Sequence, residues 1–523
     1  MTAPRWISVA IVLGILAMIA CWLAWSPLGA NDLVGGDEGY YGTMARNALA
    51  SPRYLISPSL SPLGSPGDKP SLYPALLALS VRAFGPTESA LRWLSILAAA
   101  CIALCLAGLV RRATGPWAAA AAAAFLVCLP SFASGSRAVA AEFPLTALGS
   151  AGLLCASGST TSKWRGFVAG ALLGAAFLCK LWLVALIGLP VLSLFWPLRR
   201  ERAAALAVLI VTAAAVASLQ LVAVALFDPR LLGHWWAVYL GRSLAERAGG
   251  AGYAAYWLKP PGYYAALLAH AFILLLPLIA VGVVAALRRF REPVPRALLL
   301  WAAGTIVLSL FAVKSYGYAY VVVPAWAGLA ALGAHALAGW SRKGSAGVAV
   351  ALAVAASALG LAREAQRLPR RYHAPGYRAV AEAVAPLLAD VPPARACFIG
   401  PEAPALSFYL FRTGSYWGTP YLPWTEERHR EMEADTALRV FVVDPQQVFY
   451  GGWPDSTTVA WLESSTTEVT AAIAEHAGRP LALRVFVRGA AGSRSGRTVG
   501  GGPSANAPPP AVPAAGSARA RSR

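Results

Sequence analysis

The chain has 523 residues, of which 58% are hydrophobic and only 13% charged, about half the roughly 25% charged share of soluble domains. Most of it is therefore built for lipid, which excludes a soluble globular body. The net charge of +20 does not mark a nucleic-acid binder: the cations fall in short clusters between apolar runs (Arg111 and Arg112; Lys163 and Arg165; Arg199, Arg200 and Arg202; Arg288, Arg289 and Arg291; Arg342 and Lys343), the pattern of cytoplasmic loops, with no nucleic-acid motif beside them.

In chain order, Arg5 opens an apolar run from Trp6 to Trp25, too long for the h-region of a secretory signal. The following Leu28-Gly29-Ala30 is a poor cleavage site, so a retained first span is expected. Further apolar segments lie at residues 91–110, 117–134, 143–157, 166–180, 181–198, 203–227, 263–287, 297–313, 320–340 and 345–362. With the first at 6–27 they give about eleven crossings. If the N-terminus is cytoplasmic, every basic cluster falls on the cytoplasmic side. The same alternation places residues 28–90, the stretch from Arg137 to Glu142, residues 228–262 and everything after 363 on the opposite side.

The first outer loop, 28–90, is long enough for two interfacial helices. One runs from Tyr40 to Leu49, with Tyr41, Met44, Ala45, Ala48 and Leu49 on one face, and the other from Ser71 to Phe84. Beyond residue 363 the pattern is soluble, with a helix over Tyr377 to Leu388 and β-type runs at Ala396–Ile399, Leu438–Val443 and Leu481–Val487. The expected organisation is a transmembrane domain over 1–362, a small extracytoplasmic α/β domain over 363–488 serving as a cap or an acceptor-binding module, and a disordered tail over 489–523. Six of the seven cysteines sit in apolar segments, leaving Cys397 apart, so neither a disulfide framework nor a zinc pattern emerges. No cofactor is expected, and no divalent metal is assigned.

Ionisable groups near spans call for a reason, because charge at membrane depth is costly. Asp37 and Glu38 stand in LVGGDEGYYGTMARNAL, where flanking glycines let the backbone turn and approach a ligand. An ionised carboxylate there is suited to accept a proton from a hydroxyl; the structural alternative is an acidic cap on a helix N-terminus. On the same side lie Lys69 in GDKPSLYP, Arg137 and Glu142 in SRAVAAEFPL, Lys180 in AFLCKLW and Lys314 in FAVKSYGYAYVVVP. Singly these cations read as snorkelling anchors or ion-pair partners. Together they suit a lipid-linked phosphate whose charge grows as it departs. Tyr316, Tyr318 and Tyr320 fit an interfacial aromatic belt equally well.

Taken in order, the acidic pair, KPSLYPALLALSVRAFGPTESALR, SRAVAAEFPL, AFLCKLW and KSYGYAYVVVPAWAGLAAL resemble the type C glycosyltransferases of the protein O-mannosyltransferase and lipid A aminoarabinose transferase group, over about residues 6–345. The resemblance implies a polytopic α-helical membrane fold and an inverting sugar transfer from a polyprenyl phosphate to an acceptor hydroxyl of a lipid, protein or glycan. It places that reaction at the outer face of a bacterial inner membrane. It implies Asp37 as base and Lys69 at the donor phosphate, with Arg137, Glu142, Lys180, Lys314, Tyr318 and Tyr320 as substrate-side residues and Glu38 orienting the loop or the acceptor. The chain departs from the group's pattern in having KPS for KPP, Glu142 where an aspartate is usual, and Leu181 after Lys180. The competing class is a transporter or flippase for a lipid-linked substrate, but such proteins gather ionisable groups near the bilayer midplane. A non-catalytic binding protein of the same fold is the third reading.

Overall fold

A chain that crosses lipid must satisfy its own backbone polar groups, and helices do this segment by segment. A computed structural model describes residues 32–33, 37–55, 70–227, 229, 232–233, 260–310, 315–340, 377–388, 396–399, 403–410, 426–436, 438–443, 456–477 and 483–488. The first part is a series of helices: α1 (Asp37–Ala50), α2 (Leu72–Phe84), α3 (Glu88–Ala113), α4 (Pro116–Val127), α5 (Pro130–Gly135), α6 (Glu142–Gly158), α7 (Lys163–Phe177), α8 (Ala185–Ser193), α9 (Arg200–Phe227), α10 (Tyr263–Ala271), α11 (Leu276–Arg288), α12 (Pro293–Leu310) and α13 (Val323–Trp340). Among the described residues α3, α9 and α12 are long and apolar enough to cross a membrane, and the pair Tyr263–Ala271 and Ile273–Arg288, bent by 78°, makes a further such segment.

The predicted segments 6–27 and 345–362, the tail 489–523 and most of 228–262 lie outside the described residues. Those between them coincide with helices, but two predicted single crossings are divided. Segment 117–134 is split into α4 and α5, and segment 263–287 into α10 and α11. The cause is local: Pro130 starts α5 and Pro277 lies in the first turn of α11, where a missing N–H is tolerated but a continuing helix is not.

Small residues set how closely the helices approach. Gly166, Gly170 and Gly174 form a stripe along α7, and a Cβ at each would meet the backbone oxygens of Ala205, Leu209 and Ala213 along α9. Gly282 of α11 and Gly333 of α13 face each other's helix in the same way, against the carbonyls of Leu329 and Leu278. In lipid, where apolar burial offers little drive between helices, such backbone approach is what holds them together.

The ends of the bundle differ in charge. At one end Arg112 donates to the carbonyl of Leu154, Arg289 to that of Ala113 at 2.7 Å, and Arg296 to those of Ser193 and Trp196 at 2.6 and 3.0 Å. These arginines thus cap the C-termini of α6, α3 and α8, where carbonyls lack helical partners and the dipole favours cations. At the other end α1, α3 and α6 begin with Asp37 and Glu38, with Glu88 and with Glu142, matching the positive pole of each helix.

The C-terminal part contains α14 (Tyr377–Leu388), α15 (Ala403–Leu410), α16 (Glu426–Ala434), α17 (Ser456–Ser465) and α18 (Thr470–Ala477), with strands β1 (Ala396–Ile399), β2 (Val440–Val443), β3 (Thr467–Glu468) and β4 (Arg484–Val487). They form one sheet of order β1-β2-β4-β3, parallel between β1 and β2 and antiparallel elsewhere. The sequence anticipates α14 and three of these strands. It does not anticipate that α15 packs on α1. The buried Arg46 of α1 donates to the carbonyls of Ser407 and of Phe408, the latter at 2.9 Å. Helix α1 packs between α2 and α15: Tyr40 is buried with Tyr41, Met44, Ala45 and Ala48, while Leu49, expected on the same face, is 45% exposed.

Because Gly170 lies against backbone, Gly170→Leu forces α7 and α9 apart. Detergent-solubilised protein carrying it is expected to lose its monodisperse peak in size-exclusion chromatography, whereas Gly188→Leu, at a position with no atom near an added Cβ, keeps it.

Candidate active site

The acidic pair of the first loop opens α1, and its two members face different surroundings. Glu38 is buried: its Oε2 lies 3.1 Å from Nη2 of Arg92 on α3, and its Oε1 accepts the Val139 N–H at 2.8 Å. Both oxygens are thus engaged by the protein, and the pair stitches α1 to α3 and to the turn before α6. Arg92 also donates to the carbonyl of Asp32 at 2.8 Å, five residues before Asp37. Asp37, one residue earlier, keeps 48% of its side chain exposed, with Oδ2 4.0 Å from Nζ of Lys180.

Lys180 lies in the turn after α7 and is the electrostatic centre of this end. Its ammonium donates to Oε1 of Glu142 at 2.6 Å and stands 5.1 Å from the centre of the Tyr318 ring. One cation is therefore shared between two carboxylates and an aromatic face. Gly317 lets the turn carrying Tyr318 approach: a Cβ there would lie 2.9 Å from Oε1 of Glu142. Tyr320 is buried, with its ring 5.0 Å from Phe143 and against the Cα of Gly135. Tyr316, its neighbour at 5.4 Å, is exposed.

Arg137 lies in the turn that joins α5 to α6 and is half-buried. Burial, and then the Arg92 guanidinium, lower its pKa from the usual arginine value. Asp37, Glu38, Arg137, Glu142, Lys180, Tyr318 and Tyr320 thus gather at one end of the bundle. Lys69 and Lys314 lie outside the described residues. The chain that follows Lys69 is held firmly: the Ser71 N–H donates to Oε1 of Gln220 at 3.1 Å, the Ser71 hydroxyl donates to the same oxygen, and Leu72 N–H donates to the Leu178 carbonyl at 3.2 Å. Gln220 is itself buried in α9.

Tyr73 is a site neighbour that sequence reasoning passed over. It is fully buried with its ring 4.7 Å from Tyr41. Burial above all raises its pKa well above the usual tyrosine range; Ser95 partly offsets this, and the carboxylates of Glu142 and Glu38 add to it. Its hydroxyl stays protonated among acids. The signal available in the sequence was its place in KPSLYP beside Lys69, but a lone tyrosine at a helix start reads as packing. Among the described residues no group of three or more His, Cys, Asp or Glu side chains converges as a metal site.

Residues 68–231 match the family described as dolichyl-phosphate-mannose-protein mannosyltransferase, and the whole helical arrangement has solved counterparts. ArnT from Cupriavidus metallidurans bound to undecaprenyl phosphate superposes with a TM-score of 0.68 at 17% identity, over 93% of this chain and 98% of that one. The fold is the one that ArnT has. The resemblance to the protein O-mannosyltransferase and lipid A aminoarabinose transferase group holds in sequence over the matched segment and in fold over most of the chain. The apo state of the same ArnT gives 0.67 at 16% identity, over 92% of this chain and 97% of that one. The archaeal oligosaccharyltransferase AglB from Archaeoglobus fulgidus, in complex with an inhibitory peptide and a dolichol-phosphate, gives 0.55 at 14% identity, over 84% of this chain and 69% of that one. A comparison with curated protein sequences finds no match. Within this fold the segment matched by the family model contains Arg137, Glu142, Lys180 and the Ser71–Gln220 contact, while α1 with Asp37 precedes it.

The two acids of the pair are expected to separate in stability measurements. Glu38→Gln leaves Arg92 buried without its counter-charge and should cost about 3–5 kcal/mol, read as a fall in melting temperature. Asp37→Asn, at a half-exposed position, should leave the melting temperature nearly unchanged. Ser71→Pro, which the backbone φ of −78° would accept, removes both donors to Gln220 and should cost about 1–3 kcal/mol; Ser71→Ala, which keeps the N–H, should cost less in the same melt.

Proposed function

We propose that this chain is an inverting glycosyltransferase that moves a sugar from a polyprenyl phosphate to an acceptor hydroxyl. The observation that carries the reading is the half-exposed Asp37 carboxylate beside Lys180, with Lys180 held by Glu142 and backed by Tyr318. Support comes from the fold shared with ArnT, solved with undecaprenyl phosphate, and with AglB, solved with a dolichol-phosphate.

The chemistry asks for one base and a cationic surround. Asp37 takes the proton of the acceptor hydroxyl as its oxygen attacks the anomeric carbon. The bond from that carbon to the phosphate oxygen breaks on the opposite face, its electron pair leaving with the polyprenyl phosphate. No strong general acid is needed when cations stabilise the leaving charge. Lys180 and Arg137 are the described cations that serve the leaving phosphate, and Lys69 and Lys314 complete the set in this reading. Tyr318 and Tyr320 line the donor side, and Glu38 acts through α1 by holding Asp37 in register. The site faces the outside of a bacterial cytoplasmic membrane, the N-terminus lies inside, and residues 363–488 stand on the same outer side as the acceptor.

With the chain in lipid nanodiscs and a polyprenyl-phosphate-linked radiolabelled sugar, Asp37→Asn should lower transfer by at least about 100-fold while donor binding persists. Transfer at the wild-type rate in that variant would remove Asp37 from the role of base. Movement of the donor across liposome membranes with no transfer to any hydroxyl would point instead to a flippase.

A further inference from the structure

We propose that Tyr409, with Glu88 and Arg378, forms a clamp through which the C-terminal part of the chain positions Asp37. This rests on the glycosyl-transfer reading for its catalytic consequence but not for its geometry. The Tyr409 hydroxyl accepts the Leu33 N–H at 2.7 Å and donates to Oε1 of Glu88 at 2.6 Å. Arg378 pairs with the same Glu88 oxygen, and its backbone N–H donates to Oδ2 of Asp32 at 3.0 Å. Arg92 closes the other side by donating to the Asp32 carbonyl. Residues 32 and 33 are therefore gripped by α3, α14 and α15 together.

The sequence explains why such a grip matters. Only three residues, Val34, Gly35 and Gly36, separate Leu33 from Asp37, so what holds residue 33 acts within a short span of chain from the carboxylate. Asp37 therefore stands between two anchors that are close in sequence. Helix α1 supplies one anchor through Glu38 and Arg46. The clamp supplies the other.

Tyr409 carries more of the clamp than Arg378. Glu88 and Asp32 are buried, whereas Arg378 keeps 41% of its side chain exposed at the wall of a cavity of about 510 Å³ that Thr87, Glu382, Glu88 and Tyr409 also line. Salt screens the ion pair of the exposed Arg378 more than the half-buried hydroxyl bridge of Tyr409. Burial, followed by Glu88, pushes the tyrosine pKa above its ordinary value, so the hydroxyl remains a donor to the carboxylate. Tyr409 touches no reacting atom in this scheme; it is a positioning residue.

Tyr409→Phe keeps the ring and removes both hydrogen bonds. In the full-length chain in nanodiscs, hydrogen exchange at the Leu33 amide should accelerate by about tenfold. With the polyprenyl-phosphate-linked sugar, kcat should fall by about 10- to 100-fold with the donor KM unchanged. Arg378→Gln should give the same pattern more weakly, and the weakening should vanish at high salt. Asp37→Asn should lower kcat without altering Leu33 exchange. Unaltered exchange in Tyr409→Phe overturns the clamp, and faster exchange with unaltered kcat overturns its positioning role. If the wild-type chain transfers no sugar, the glycosyl-transfer reading falls, and exchange at Leu33 alone then decides whether the clamp exists.

Discussion

The site depends on one buried ion pair, Glu38 with Arg92. Removing two charges from solvent is costly, and the attraction between them offsets that cost only when geometry is good and the remaining polar atoms are satisfied. Here the second carboxylate oxygen takes the Val139 N–H and the guanidinium takes the Asp32 carbonyl. Three segments far apart in sequence therefore meet at one pair: the chain before α1, the start of α3, and the turn from which α6 and Glu142 follow. Loss of either partner would leave an uncompensated charge in the interior, so the pair acts as a register pin as much as a source of stability.

The neighbouring acid is placed by the same pin and given the opposite environment. Asp37 precedes Glu38 by one residue at a helix start, so burying one side chain against α3 turns the other towards the opening. The cation it meets is already occupied. Lys180 is closer to Glu142, at 2.6 Å, than to Asp37, at 4.0 Å. Replacing the usual aspartate by Glu142 lengthens the side chain by one methylene, and Gly317 against that carboxylate supplies the room.

Much of this could be read from the sequence, and the rest could not for identifiable reasons. Helices were visible wherever apolar runs were bounded by basic clusters, because both signals are local. The breaks at Pro130 and Pro277 were missed because a proline at a first helical turn and one inside a helix look alike until the neighbouring geometry is known. The gathering of Asp37, Arg137, Glu142 and Lys180 at one end followed from the alternation of crossings. The division of labour within the acidic pair did not, since it turns on Arg92, whose partner lies fifty-four residues away in sequence. The contact of α15 with α1 was equally hidden, because hydropathy records that a face is covered and not by what.

The substitution of serine for proline at position 71 shows how a local departure can be absorbed without loss of architecture. A proline there would offer no donor, and Gln220, buried in α9, would have an oxygen with nothing to accept from. With serine, one carbonyl oxygen takes both the N–H and the hydroxyl, and the start of α2 becomes tied to α9 as well as to the turn before Lys180 through Leu72 and Leu178. The amide and the serine are thus best understood as a matched pair: each is costly to bury alone. Since the link lies two residues after Lys69, it fixes the exit of the loop that carries the expected phosphate-binding lysine to the same framework that holds Lys180. Lys180 and the chain from Ser71 onward are in this way referred to the α7–α9 pair, packed through its glycine stripe.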